Sequence, residues 1–335
     1  MFKTQNLTNI TSQVDSNLIQ NSMIILIVIL ILLLVGFLVL RKFLQNFKQS
    51  VLKKKGLGLV FFEVKLPRSN DVEIRAAEQM FTGLLGIGEE LTGFKKFIGA
   101  RKFVSFEIVA FKESIKFYVV CPRSIANIVD RQINGTYPLA EINVVKEYNL
   151  FPDSAFTSFA SLKLDKDTRI PFQTYDELAV DSVATITDIF SKLNDSEGAV
   201  FQMIISPAGS NWRNDAKEFV KKLREPPKEG EKASKPKFND DTISLMDKKA
   251  DKSGFYTDLR IICVSDTKFG ADSNLANTLS VFDQFLKEAG NRFKKIKEEE
   301  LSSIAEDVVY RIPRQSMILN TAELATLFHF PNKNV

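Results

Sequence analysis

The chain has 335 residues, 44% of them hydrophobic and 26% charged, with a formal net charge of +4, proportions ordinary for a globular body with one or two cores. Six basic residues between Arg41 and Lys55 exceed that charge, so the part after Lys55 is near −2 and strong direct nucleic-acid binding is not expected of it. With one histidine, His329, and two cysteines outside any Cys-x-x-Cys motif, a zinc site lacks ligands, and Cys121 and Cys263 read as small core residues.

Residues 1–21, rich in Asn, Gln, Ser and Thr, read as a short extracytoplasmic tail. Met23 to Leu40, MIILIVILILLLVGFLVL, is apolar or glycine throughout. At about 1.5 Å rise per residue it would cover roughly 27 Å as a helix, near the hydrocarbon thickness of a bilayer. A transmembrane helix is therefore predicted over 22–41. A signal peptide fits worse, because the basic residues follow the apolar run instead of preceding it. Those residues, Arg41, Lys42, Lys48, Lys53, Lys54 and Lys55, suit anionic headgroups, and residues 42–55 read as a basic juxtamembrane helix. By the positive-inside rule the expectation is a single-pass protein of the plasma (inner) membrane, N-terminus outside and C-terminal body cytoplasmic.

Residues 56–150 form the first predicted α+β module. Leu57 to Leu66 is a strand stopped by Pro67, and a helix follows with Val72, Ala76, Met80 and Leu84 at helical spacing. Lys102 to Ala110 and Ile115 to Val120 make a hairpin, Ile125, Ile128, Val129 and Ile133 stripe a second helix, and Ile142 to Tyr148 is a strand. The order strand, helix, strand, strand, helix, strand is that of the ferredoxin-like unit. Residues 151–300 repeat it: strands at 156–164, 199–205, 255–264 and 292–296, helices at 175–193 and 273–289, and an extra helix at 214–223. A flexible insert is expected over 225–253, where PPKEGEKASKPKFNDD cannot bury a core. The predicted fold class is thus α+β, a single N-terminal transmembrane helix followed by two ferredoxin-like modules with antiparallel sheets. Residues 301–335 hold a weak strand at 317–319 and a short helix at 323–328.

No catalytic pattern emerges. No GxxxxGK[ST] run is present, and Gly86-Ile87-Gly88 is followed by Glu89 and Glu90, which would repel phosphate. The acidic pairs lie on expected loops or solvated faces. The chain is predicted to be no enzyme and to need no cofactor or metal.

FFEVKLPRSNDVEIRAAEQMFTGL after the apolar run, YVVCPRSI, LRIICVS with its FDQF helix, and the closing TAELATLFHFPN together resemble the N-terminal region of membrane-anchored type IV secretion and conjugative-transfer ATPase-like proteins. In such relatives the stretch matched by Thr321, Glu323, Leu324, Leu327, His329 and Pro331 leads into a RecA-like domain. Here the chain stops at Val335 without that core, so ATP hydrolysis is not implied. The resemblance implies a membrane-anchored, non-catalytic component of a transfer apparatus that docks or assembles a separate RecA-like ATPase or other secretion subunits, as an oligomer and against the lipid bilayer. Glu323, Leu324, Leu327, Phe328, His329, Phe330 and Pro331 are the expected partner-docking residues, since so apolar a segment must be buried somewhere. The alternative is an unrelated membrane-tethered scaffold or sensor.

Overall fold

The computed structural model describes residues 30–32, 34–37, 39, 58–88, 101–111, 114–149, 155–209, 211–225, 238–296 and 304–333. It divides into two units, residues 1–53 and 54–335. In the first, every described residue is helical. A span takes about 20 apolar residues in one helix, and among the described residues no helix is long and apolar enough to cross a membrane. That finding overturns the expected transmembrane helix over 22–41, and the single-pass placement with a cytoplasmic body goes with it.

In the second unit nine strands make one sheet: β1 (Leu59–Lys65), β2 (Val104–Phe111), β3 (Ser114–Pro122), β4 (Glu141–Val145), β5 (Phe156–Leu164), β6 (Gly198–Pro207), β7 (Gly254–Ser265), β8 (Phe293–Lys295) and β9 (Met317–Asn320). The helices are α1 (Ile74–Gly83), α2 (Ala126–Thr136), α3 (Ser182–Phe190), α4 (Asn211–Arg224), α5 (Asp240–Ala250), α6 (Lys268–Ser280), α7 (Ile304–Val309) and α8 (Thr321–Leu327). Strands pair in the order β4-β1-β3-β2-β6-β7-β5-β8. The short strand β9 lies along Gly254–Thr257 of β7, beyond the end of β5.

Two ferredoxin-like modules with separate sheets are therefore replaced by a single nine-stranded antiparallel sheet. The decisive contact is β2 with β6, in continuous register from Val104↔Ile205 to Phe111↔Gly198. Left unpaired, each strand would expose a row of backbone donors and acceptors. Their sequences suit the join, because β6 is buried along its whole length and β2 along all but its last residue, the mark of central strands.

One face of the sheet carries the main core. Phe106 and Ile108 of β2, Val119 of β3, Phe201 and Met203 of β6 and Ile261 of β7 pack there under α1, α2, α3, α6 and α8. Helix α3 starts after Asp181, whose side chain caps it by accepting from the Val183 and Ala184 amides at 2.8 and 3.1 Å. It begins later than the apolar spacing predicts, at Ser182 instead of 175. Within the expected flexible insert, α5 is ordered by an Asn239 cap and by Ile243 and Met246, which pack against Val220 of α4. On the N-terminal half of β7, Gly254 leaves room for the Trp212 ring, where a Cβ would come within 2.3 Å.

Candidate functional site

The other face of the sheet carries polar groups at a single level. Along the pairing register, Asn143 of β4 stands opposite Glu63 of β1, and Glu63 opposite Tyr118 of β3. Glu107 of β2 then lies between Tyr118 and Gln202 of β6, and Gln202 is followed by Arg260 of β7 and Ser161 of β5. Directly opposed side chains on a sheet are close enough to bond, and buried polar groups persist only when they do. Glu107, Gln202 and Arg260 are all shielded from solvent. Glu107 Oε1 accepts from Ser105 Oγ at 2.7 Å and from Gln202 Nε2 at 3.0 Å, and Oε2 accepts from the Tyr148 hydroxyl at 2.7 Å. Arg260 donates to Gln202 Oε1 at 3.1 Å and to the carbonyls of Asp307 and Ile312 at 2.8 and 2.5 Å.

Those carbonyls belong to the segment from α7 to Ser316, which lies over this row. Its backbone is shaped around two charges. Asp258 of β7 accepts from the amides of Arg314, Gln315 and Ser316 at 2.7, 2.9 and 2.9 Å, a nest of successive N–H groups around one carboxylate. Gln315 takes a left-handed φ of 59° to form it, and Arg311 takes a φ of 50°. Non-glycine residues adopt that region at a cost of roughly 1 to 3 kcal/mol, so the surrounding bonds must hold them. Arg311 Nε and Nη2 meet Glu107 at 3.1 and 3.3 Å, while Nη1 donates to the Val309 carbonyl at 2.7 Å and to the Glu147 carboxylate. Its guanidinium also lies over the rings of Phe61 and Tyr148, at 4.7 and 5.4 Å from their centroids.

Burial alone would raise the Glu107 carboxyl, but the Arg311 charge, with the Arg311, Ser105 and Tyr148 donors, outweighs it and holds Glu107 below its usual value. Burial likewise opposes the Arg311 charge, and Glu107, Tyr148 and Glu147 overcome it to raise that group. The Tyr148 phenol is pushed well above its ordinary value by burial and by the neighbouring Glu107 charge. Beside Arg311 a cavity of about 330 Å³ opens between Val200 and Ile262 on the sheet and Val308 and Val309 of α7, lined also by Glu147, Tyr148 and Asn149.

The expected docking residues lie on the helical face of the sheet. Asn320 and Glu323 form a capping box at the start of α8. Leu324, Leu327, Phe328 and Phe330 are buried in the main core, where α8 packs against α1 and α3. Phe328 stands 5.0 Å from Phe106 and 6.1 Å from Phe117, ring centre to ring centre, and Phe330 stands 5.1 Å from Tyr137. His329 is buried, with Nδ1 3.0 Å from the Ala325 carbonyl and Nε2 2.9 Å from Asp181 Oδ2. The Pro331 carbonyl accepts from Asn70 at 2.7 Å. Glu323, Leu324, Leu327, Phe328, His329 and Phe330 are thus covered by the chain itself, and only Pro331 of the set is partly exposed.

Glu323 Oε2 lies 2.9 Å from Lys249 Nζ of α5, with both side chains at 0% exposure. This is a charge contact and not a directed hydrogen bond, and Glu323 Oε1 has no hydrogen-bond partner. Burial drives the Glu323 carboxyl up and the Lys249 ammonium down, each opposed by the other's charge. The expected membrane-surface residues, Arg41, Lys42, Lys48, Lys53, Lys54 and Lys55, lie outside the described residues. Among the described residues no group of three or more His, Cys, Asp or Glu side chains is placed to hold a metal ion.

The sequence matches the family described as Domain of unknown function (DUF8128) over residues 49–335. The chain belongs to the DUF8128 family. No curated protein sequence matches it. Among solved structures, the crystal structure of aclacinomycin oxidoreductase is similar at a TM-score of 0.31 and 10% identity, covering 68% of this chain. The chain spans only 41% of that protein's length, and a likeness of this size carries no argument about activity.

The residues of this DUF8128 site that sequence reasoning missed are Glu107, Gln202, Arg260 and Arg311. Three of them carry a visible signal, a charged or amide side chain inside a largely apolar strand run: Glu107 in VSFEIVAF, Gln202 in GAVFQMIISP and Arg260, with Asp258, in GFYTDLRIICVS. Arg311 carries none, because only the fold brings residues 204 positions apart into contact.

Proposed function

We propose that this chain is a non-catalytic assembly component that holds protein partners on a rigid sheet, serving a transfer apparatus of the type IV secretion and conjugation kind. The observation that supports a non-catalytic role is the closure of the polar face. Glu107, Gln202, Arg260, Asp258 and Arg311 are bonded to one another or to backbone of the same chain. Such a network rigidifies and orients, whereas a nucleophile or general base needs a free reacting atom within reach of a substrate. The transfer apparatus enters through the sequence resemblance alone, and with it a RecA-like ATPase as the partner. Because residues 321–330 are buried in the chain's own core, a partner would engage some other surface. The test mixes the purified full chain with a P-loop ATPase encoded at the same locus and follows complex formation by light scattering and nucleotide turnover by phosphate release. A stable complex is expected, with no turnover by the chain alone. Failure to associate overturns the transfer-apparatus role, and turnover by the chain alone overturns the non-catalytic one.

A further inference from the structure

We propose that the cavity beside Arg311 is a binding site for a small organic carboxylate with an apolar body. Its volume of about 330 Å³ falls at the lower end of the roughly 300 to 1,000 Å³ of small-molecule sites. The floor, Val200 and Ile262, and the roof, Val308 and Val309, are apolar, so the body of a ligand there would be aliphatic. One cation stands at the end. Arg311 is only 3% exposed, and its position is set from behind by Glu107 through two N–H groups. The Phe61 and Tyr148 rings lie against the guanidinium, their centroids 4.7 and 5.4 Å from it, and a planar guanidinium meets a carboxylate through an N–H edge, here the one that carries Nη1.

That edge already holds a carboxylate. Glu147, which also lines the cavity, bonds Nη1 and is half exposed, unlike the fully shielded Glu107 on the inner side. The two acids are therefore unequal: Glu107 is built into the sheet, and Glu147 can be exchanged for an incoming carboxylate at little cost in desolvation. An exchange leaves the local charge as it was. Apart from Glu147, Glu107, Asp258 and Asp307 face Arg260, Arg311 and Arg314, three acids against three bases. Glu147 thus serves as an internal stand-in that lowers the apparent affinity for a ligand by the fraction of time it covers Arg311.

The test uses the full chain with sodium octanoate as probe and octan-1-ol as the tail without a carboxylate, followed by isothermal calorimetry. Saturable octanoate binding is expected, with octanol weaker by about tenfold or more. Glu147→Gln is expected to tighten octanoate by roughly threefold or more, since the competing carboxylate is gone. Val309→Phe, at a cavity position that is 40% exposed, fills the space from the solvent side and is expected to abolish binding while leaving the melting temperature unchanged. A purely structural role for the Arg311–Glu147 pair predicts the reverse for Glu147→Gln, a lower melting temperature and no gain in affinity, and that result overturns the proposal. So does octanol binding as tightly as octanoate, or no octanoate binding to either the parent chain or Glu147→Gln.

Discussion

Replacing Phe328 by alanine tests whether the C-terminal segment is part of the core. The ring is 0% exposed and meets Phe106, Phe117 and Phe330 at centroid distances of 5.0, 6.1 and 5.4 Å. Truncating a buried phenylalanine costs about 3 to 5 kcal/mol through lost transfer energy and the cavity left behind. Loss of edge-on ring contacts adds on the order of 1 kcal/mol, and α8 is held between α1 and α3, so collapse into the void is limited. The expected loss is therefore about 4 to 6 kcal/mol, or a fall in melting temperature of roughly 10 to 15 °C for a body of this size. Urea denaturation followed by far-ultraviolet circular dichroism reads the loss at constant m-value. Phe269→Ala, at a side chain 84% exposed, is the control and should change stability by less than about 0.5 kcal/mol. If Phe328→Ala costs under about 1 kcal/mol, the segment is not core and the packing argument fails.

Lys249→Met leaves the Glu323 carboxylate buried without its cation and is expected to cost about 3 to 5 kcal/mol; the double variant Lys249→Met/Glu323→Gln, which keeps the α8 cap, should recover more than half of that in urea melts, and strict additivity would refute the pairing. Asp181 is partly buried, which alone would raise it, yet the His329 ring and the Ala184 and Val183 amides hold it below its ordinary value. Its contribution is thus complete above the unfolded carboxylate range, near pH 4, and is lost as pH falls through the lower folded value. Melts between about pH 2 and 7 should show a shallower acid limb for Asp181→Asn, and an unchanged limb counts against the cap. Burial pushes both the Cys121 and Cys263 thiols up to about 12, so iodoacetamide at neutral pH should label neither until the chain unfolds; prompt labelling of the native protein would show that one of them is accessible.

Local periodicity was enough to find most of the strands. The run 156–164 is β5 to the residue, and the apolar spacing of β1, β3 and β7 places each within about two residues, the usual uncertainty of element ends. Apolar residues at a period of two also identify which side chains of these strands form the core, because alternate residues of a strand must face one side. The pairing of β2 with β6 was half legible. Both runs are mostly apolar, interrupted on one face by Ser105 and Glu107 of β2 and Gln202 of β6, and so apolar a run marks a central strand, but which strand covers an open edge depends on three-dimensional proximity and not on spacing along the chain.

The closing segment divides the two kinds of information most clearly. Its sequence alone requires that Leu324, Leu327, Phe328 and Phe330 be buried, since so short an apolar helix is unstable in water. It does not say against what. The tertiary structure decides that the cover is the chain's own α1, α3 and sheet, and it alone brings Arg311 to Glu107, across a separation that no local pattern encodes. Hydrophobicity is a property each residue carries by itself, whereas an ion pair or a core contact belongs to two residues at once, and only the folded chain selects the second.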